Sequence, residues 1–271
     1  MKIKFFYPYW GSSHLSLEHF FERVKNAGFD GVEMNISFDE GIAEKIRQLL
    51  PQYELELIAQ QWLESKDETP DEYIERMEEY FSYLASFNPL FINSHTGKDF
   101  YSFEENCRIF EAAERVGEYT GVKIVHETHR GRALFSTLMA KQYFNALPDL
   151  RINADFSHWC CVSESLLKDQ NDIVLQACQR ADFIHARVGY EQGPQINHLQ
   201  SDNNRLAIET HLSWWKRILE NAKLKGYTEF PVCTEFGPEP YLQTLPFSYR
   251  PVTDQWTQNI VMRDLLRDHL A

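Results

Sequence analysis

Val125-His126-Glu127-Thr128-His129-Arg130-Gly131-Arg132 closes a mostly apolar run, residues 122–125, with a carboxylate and a cluster of imidazole and guanidinium groups. A buried strand that ends in a charged side chain, followed by a polar loop and a new helix, is how a parallel α/β barrel presents functional groups at one face. Glu127 is the first candidate on that reading. The same grammar returns three times. Leu150-Arg151-Ile152-Asn153-Ala154-Asp155-Phe156-Ser157-His158 is a short strand-like run ending in a carboxylate, with a histidine three residues on. Phe183-Ile184-His185-Ala186-Arg187 ends in imidazole and guanidinium, and Phe230-Pro231-Val232-Cys233-Thr234-Glu235-Phe236-Gly237-Pro238 ends in a carboxylate before a Gly-Pro turn. From Glu127 to Asp155 is 28 residues and from Asp155 to His185 is 30, about one strand-helix repeat of a parallel α/β fold. From His185 to Glu235 is 50, and the excess predicts an enlarged loop, residues 188–205, overhanging the mouth.

Glu127, Asp155, His185 and Glu235 at the ends of successive strands make a hard set of oxygen donors with a single imidazole and no thiolate. Such a set suits one divalent cation, Mn, Mg, Co or Zn, better than copper or an iron-sulfur cluster. The competing explanation is a group of buried polar side chains that neutralise one another. It weakens with each further strand that ends in phase.

Working outward, strands are expected at residues 3–7, 29–34, 55–59 and 90–93, and then at the four runs above. Helical spacing of apolar residues covers 15–27, a stripe from Ile42 to Leu50 stopped by Pro51, then 73–87, 103–119, 134–147 and 163–180. Ile208, His211, Leu212, Trp215, Ile218 and Leu219 mark another helix, and residues 256–270 a closing one. Residues 64–72 form a charge-rich link, and Gln60-Gln61-Trp62 a loop. Eight strand-helix repeats without a composition break predict an α/β fold, a single (β/α)8 TIM barrel as one domain over residues 1–271. An open doubly wound sheet is the alternative, but no G-x-G-x-x-G follows the first strand.

Composition excludes several partner classes. Among 271 residues, 43% hydrophobic and 14% aromatic content fits a globular chain. A net charge of −13 argues against a nucleic-acid backbone as partner. A small anionic ligand stays open, since Arg130, Arg132 and Arg187 could dominate a low-dielectric cleft. No apolar run approaches the ~20 residues that span a bilayer, so no membrane partner is expected. Met1-Lys2-Ile3-Lys4-Phe5-Phe6-Tyr7 resembles a first strand more than a leader peptide, and a cytoplasmic protein is expected. Five cysteines without a C-x-x-C suggest buried thiols.

With these motifs in order, the chain resembles the xylose isomerase-like superfamily of sugar and sugar-phosphate isomerases and epimerases. The match rests on Gly31-Val32-Glu33, His126-Glu127-Thr128-His129, Asp155-Phe156-Ser157-His158, His185-Ala186-Arg187 and Thr234-Glu235-Phe236-Gly237. The resemblance implies that Glu127, Asp155, His185 and Glu235 bind the metal. It also implies that Glu127 and Glu235 exchange protons with a small carbohydrate or sugar-phosphate substrate through an enediolate. His158 and Arg187 would hold substrate oxygens. Beside that resemblance, His129, Trp62 and His95 are further substrate-binding candidates by position, Trp62 read equally as a loop-packing aromatic and His95 as a rim group or a second weak ligand. A dehydratase or lyase on a polyol or keto-inositol, or a non-catalytic carbohydrate-binding barrel, are the alternatives, and a homo-oligomer is compatible with all of them. An endonuclease IV-like DNA-repair role is disfavoured, because Gln60-Gln61 stands where that enzyme has a histidine ligand and its Asp-x-His pair is missing.

Strand alternation sets His126 opposite to Glu127, toward the helix layer. Glu33 is read equally as a rim group or a pocket group. Residues 189–198, with Gly189, Gly193 and Pro194, are expected to act as a partly mobile flap.

Overall fold

A computed structural model describes residues 1–64 and 66–270. Ser65, in the expected 64–72 link, and Ala271, the last residue of the expected domain, lie outside the described residues.

Eight strands, β1 (Lys2–Pro8), β2 (Gly31–Met34), β3 (Glu56–Gln61), β4 (Ile92–Ser94), β5 (Ile124–Glu127), β6 (Ile152–Ala154), β7 (Ala181–His185) and β8 (Glu229–Cys233), close into a barrel in sequence order. Every pairing is parallel, and β1 seals the barrel against β8 from Lys2 opposite Glu229 to Phe6 opposite Cys233. Around it lie α1 (Leu17–Asn26), α2 (Glu40–Gln52), α3 (Pro70–Ala85), α4 (Phe103–Thr120), α5 (Thr137–Ala146), α6 (Phe156–Val162), α7 (Asn171–Arg180), α8 (Arg205–Leu224) and α9 (Gln255–Leu270). Among the described residues no helix is long and apolar enough to cross a membrane.

Local chemistry sets the helix starts. Ser16 caps α1 by accepting from His19 N, and the stripe Phe20, Phe21 and Val24 is buried against the sheet. Thr69 with Glu72 and Ser102 with Glu105 form reciprocal capping boxes at α3 and α4, each satisfying two otherwise orphaned N–H groups. The capping box at Thr69 starts α3 three residues before the apolar spacing does.

The barrel has two separate apolar regions. The larger fills the space between sheet and helices. The smaller, Phe6, Ile58, Phe91, Val125, Phe183 and Cys233, fills the barrel's interior. Because side chains alternate along a strand, the residues two positions further on point into the same interior, above that apolar floor.

Four local expectations change. Gln60 and Gln61 belong to β3 and pair with Asn93 and Ser94, so the strand runs on where polar side chains suggested a loop. Pro51 sits inside the last turn of α2, where its missing N–H removes a single helix bond. The helix expected over 163–180 starts only at Asn171, after a 3-10 turn at Lys168–Gln170, and an additional short helix, α6, lies ahead of it, beginning directly after Asp155, which caps it by accepting from Ser157 N. Glu164 and Leu167 then take positive φ, which no helix tolerates, before α7 starts. Residues 189–198, expected to form a partly mobile flap, are tied to the barrel end at several points. Gln195, 3% exposed, exchanges two hydrogen bonds with the Gly237 backbone (3.1 and 2.7 Å), and Ile196 N donates to Val188 O. Gly189 lies so close to the Ser157 backbone that a Cβ there would collide with it.

Candidate active site

The C-terminal ends of the strands supply two stacked polar rings. The lower one holds Glu33 of β2, Asn93 of β4, Glu127 of β5, Asn153 of β6 and His185 of β7, all buried. Asn93 Nδ2 donates to Glu33 Oε1 and to Glu127 Oε2, both at 2.9 Å, and Asn153 Nδ2 donates to Asn93 Oδ1 at 3.2 Å. Two residues further along the same strands come Asn35, His95, His129, Asp155 and Arg187, with Glu235 just past β8.

Glu127, Asp155, His185 and Glu235 are brought together: one ligand atom from each lies within 4.8 Å of the others, and all four residues are buried. His185 Nδ1 is 2.6 Å from Glu235 Oε2, yet the two are not aligned as a hydrogen bond. Glu127 Oε1 is likewise buried without a partner. Buried polar atoms left unsatisfied are costly and rare, so three on facing ligand-type groups point to a shared missing partner. A divalent cation fits that donor set.

The charge distribution agrees. Glu33, Glu127, Asp155 and Glu235 face Arg187 and His185, with His95 against Glu127 and His158 near Asp155. Burial pushes the Asp155 carboxyl up to about 7, with Arg187 opposing the rise and Glu235 and Glu127 adding to it. Burial alone would lower His185, but Glu235, Glu33 and Glu127 together raise it well above the ordinary imidazole value. For Glu127 burial acts upward, and His95 and His185 hold it well below the usual carboxylate range instead. Such opposed shifts among neighbouring titratable groups are a signature of functional sites.

Arg187 is ion-paired with Asp155 and lies 3.4 Å from Glu235 Oε2, and His158 Nε2 accepts from it at 2.7 Å. His158 is fully buried on α6, with the His129 ring against it at 3.8 Å and tilted by 46°. Burial first, and nearby positive groups second, hold both imidazoles well below their ordinary pKa, so they stay neutral. His95 Nε2 is 3.1 Å from Glu127 Oε2. His126 faces the other way, with its ring edge-on to Phe110 of α4 and its Nδ1 2.6 Å from Thr96 Oγ1.

Above the rings opens a cavity of about 430 Å³, room for a monosaccharide-sized ligand, whose walls include Trp10, Trp62, His95, His129, Arg187 and Tyr241. Gly237 lets the Trp10 indole lie directly on the backbone, and Trp10 meets Tyr241 edge-on at 5.1 Å. Arg187 and Arg130 both approach the Tyr241 ring face, at 4.8 and 5.2 Å. Asn93, Asn153 and Tyr241 were not singled out in the sequence, and Glu33 was left undecided. The alternation rule could have found the first two, since they stand two residues before His95 and Asp155.

A family profile described as a xylose isomerase-like TIM barrel matches residues 21–253. No curated protein sequence matches the chain significantly. Among solved structures, D-psicose 3-epimerase from Clostridium cellulolyticum H10, with D-tagatose, is similar at a TM-score of 0.65 and 13% identity over 98% of this chain and 99% of that one. The probable 3-DHS dehydratase AsbF from Bacillus anthracis is similar at 0.63 and 17%, over 97% and 98% of the chains. The 3-keto-D-glucoside 4-epimerase YcjR from E. coli is similar at 0.61 and 14%, over 99% of both.

Proposed function

The chain belongs to the xylose isomerase-like TIM barrel family, and on that premise we propose that it is a divalent-metal-dependent isomerase or epimerase of a small sugar or sugar phosphate. The observation that carries the proposal is the convergence of Glu127, Asp155, His185 and Glu235 above an apolar floor, with His185 Nδ1, Glu235 Oε2 and Glu127 Oε1 buried and without hydrogen-bond partners. Sugar epimerases among the structural neighbours support the substrate class.

Glu127, Asp155, His185 and Glu235 would hold the cation. When bound there, a divalent ion polarises a carbonyl or hydroxyl pair and eases loss of the adjacent carbon-bound proton. Glu127 and Glu235 stand three strands apart around the barrel, so their carboxylates approach a substrate carbon from different sides. One removes a proton from the carbon and the other returns one, which inverts or relocates the centre with no net change in protons. Asp155 orients the Arg187 guanidinium, which donates to a substrate oxygen, while Trp10 and Trp62 cover the apolar side of the sugar and exclude water.

Incubation in deuterated water with a panel of ketoses, aldoses, inososes and their phosphates tests this. Deuterium at a substrate carbon is the expected outcome. Loss of water from the substrate would instead mark a dehydratase, and binding without exchange a carbohydrate-binding barrel.

A further inference from the structure

The His185 imidazole is shared between two ligand-type groups, one on each ring nitrogen. Nδ1 lies 2.6 Å from Glu235 Oε2 and 3.5 Å from Glu127 Oε2, members of the group that includes Asp155, and Nε2 lies 2.8 Å from Glu33 Oε2, which groups with Cys233. Their hydrogen bonding differs. Glu33 Oε2 is 2.8 Å from Nε2, and Glu33 Oε1 accepts from Asn93 Nδ2 at 2.9 Å, so both oxygens are engaged. Cys233 belongs to the apolar floor. On the other side Asp155 accepts from Ser157 and Arg187, but Nδ1, Glu235 Oε2 and Glu127 Oε1 are buried and lack hydrogen-bond partners.

We propose that Glu33 is a positioning residue: by accepting the Nε2–H of His185 it presents Nδ1 to a cation held with Glu127, Asp155 and Glu235. An imidazole can give one nitrogen to a cation while the other keeps its proton, and an ionised carboxylate can only accept. A carboxylate behind a ligating histidine fixes the tautomer and ring orientation and raises the basicity of the ligating nitrogen. Asn93 extends the effect, because its amide nitrogen bridges Glu33 and Glu127 and sets the two carboxylates relative to each other. The deeper group of Glu33, His185 and Cys233 is then the support of the cation site and not a site of its own. This role rests on the metal-dependent reading above.

The test uses the metal-depleted full-length protein, titrated calorimetrically with Mn²⁺, beside Glu33→Ala and Glu33→Gln. The parent should bind one ion, Glu33→Ala should bind it about 10–100-fold more weakly, and Glu33→Gln should fall between them because its amide oxygen still accepts. Long-range ¹H–¹⁵N correlation on the Zn²⁺-loaded parent should place the His185 proton on Nε2, a readout that needs no variant if Glu33→Ala does not fold. Unchanged affinity in the variants, a proton on Nδ1, or a thiolate charge-transfer band from Cys233 in the Co²⁺-loaded protein would each overturn the positioning role while leaving the metal site itself intact. A parent that takes up no Mn²⁺ would overturn the metal-dependent reading and this role with it.

Discussion

At the N-terminal end of the barrel, Asp182 of β7 accepts from Arg151 and Tyr227 at one carboxylate oxygen and from Arg151 and Lys123 at the other. At the C-terminal end, Glu33, Glu127, Asp155 and Glu235 crowd around one arginine and one histidine, and atoms of Glu127 and Glu235 have no hydrogen-bond partner. One buried carboxylate has both oxygens saturated by two cations and a phenol, while among the four at the mouth Glu33 and Asp155 are hydrogen-bonded and Glu127 and Glu235 each keep an oxygen without a partner. The first arrangement maximises folding stability. The second gives up stability to keep donor atoms available, as expected where ligands bind at the C-terminal face of a parallel barrel. The difference sets one end of the barrel apart from the other, although the backbone repeats evenly around it.

The strongest way to break the contrast is at the mouth. Glu127→Gln and Glu235→Gln keep the side-chain shape but remove a base, so each should lose about 10²–10⁴-fold in turnover. Chemical denaturation of the metal-free variants should show stability within about 1 kcal/mol of the parent. Similar turnover in parent and both variants would contradict the two-base assignment.

Asp182→Asn is the reciprocal substitution. Burial alone would raise this carboxyl, but Arg151 and Lys123 bring it down to about 2, from an ordinary 3.8. Since the folded value is depressed, its contribution, about 2 kcal/mol, is fully present above the unfolded pKa and drains away as pH falls through the folded one. Denaturation at neutral pH should show Asp182→Asn less stable by about 2 kcal/mol with turnover unchanged, and the gap should close between about pH 4 and pH 2.

A smaller effect is expected at His126, one residue from Glu127. His126→Asn should cost about 1–2 kcal/mol at pH 8 through its Thr96 contact and Phe110 packing, with turnover little affected. Burial holds the imidazole neutral down to about 3. The unfolded chain protonates near 6.5, so the parent loses stability as pH falls through that window, and the variant's deficit should narrow in acid.

The barrel and the four-residue cluster were legible because both depend on short-range periodicity. Apolar runs ending in Glu127, Asp155, His185 and Glu235 reveal strand ends, and strand ends in a parallel barrel share one face. The lower polar ring was less legible. Asn93 and Asn153 carry no charge, and whether Glu33 faces inward depends on a register that the sequence around it does not set. Tertiary packing decided the remainder. Gln195 clasps Gly237 across 42 residues, a contact that ties down one point of the loop expected to act as a flap. The break between α6 and α7 rests on left-handed Glu164 and Leu167, neither a residue type that announces such a conformation.

The central claim is that the mouth cluster is built to hold a cation and the base cluster is not. Equilibrium Mn²⁺ binding per chain, measured on metal-depleted parent, Asp155→Ala and Asp182→Asn at one free-ion concentration, tests it most directly. The account predicts one ion bound by the parent and by Asp182→Asn, and a large loss in Asp155→Ala. Mn²⁺ uptake by Asp155→Ala equal to the parent's, or none by the parent, would contradict it.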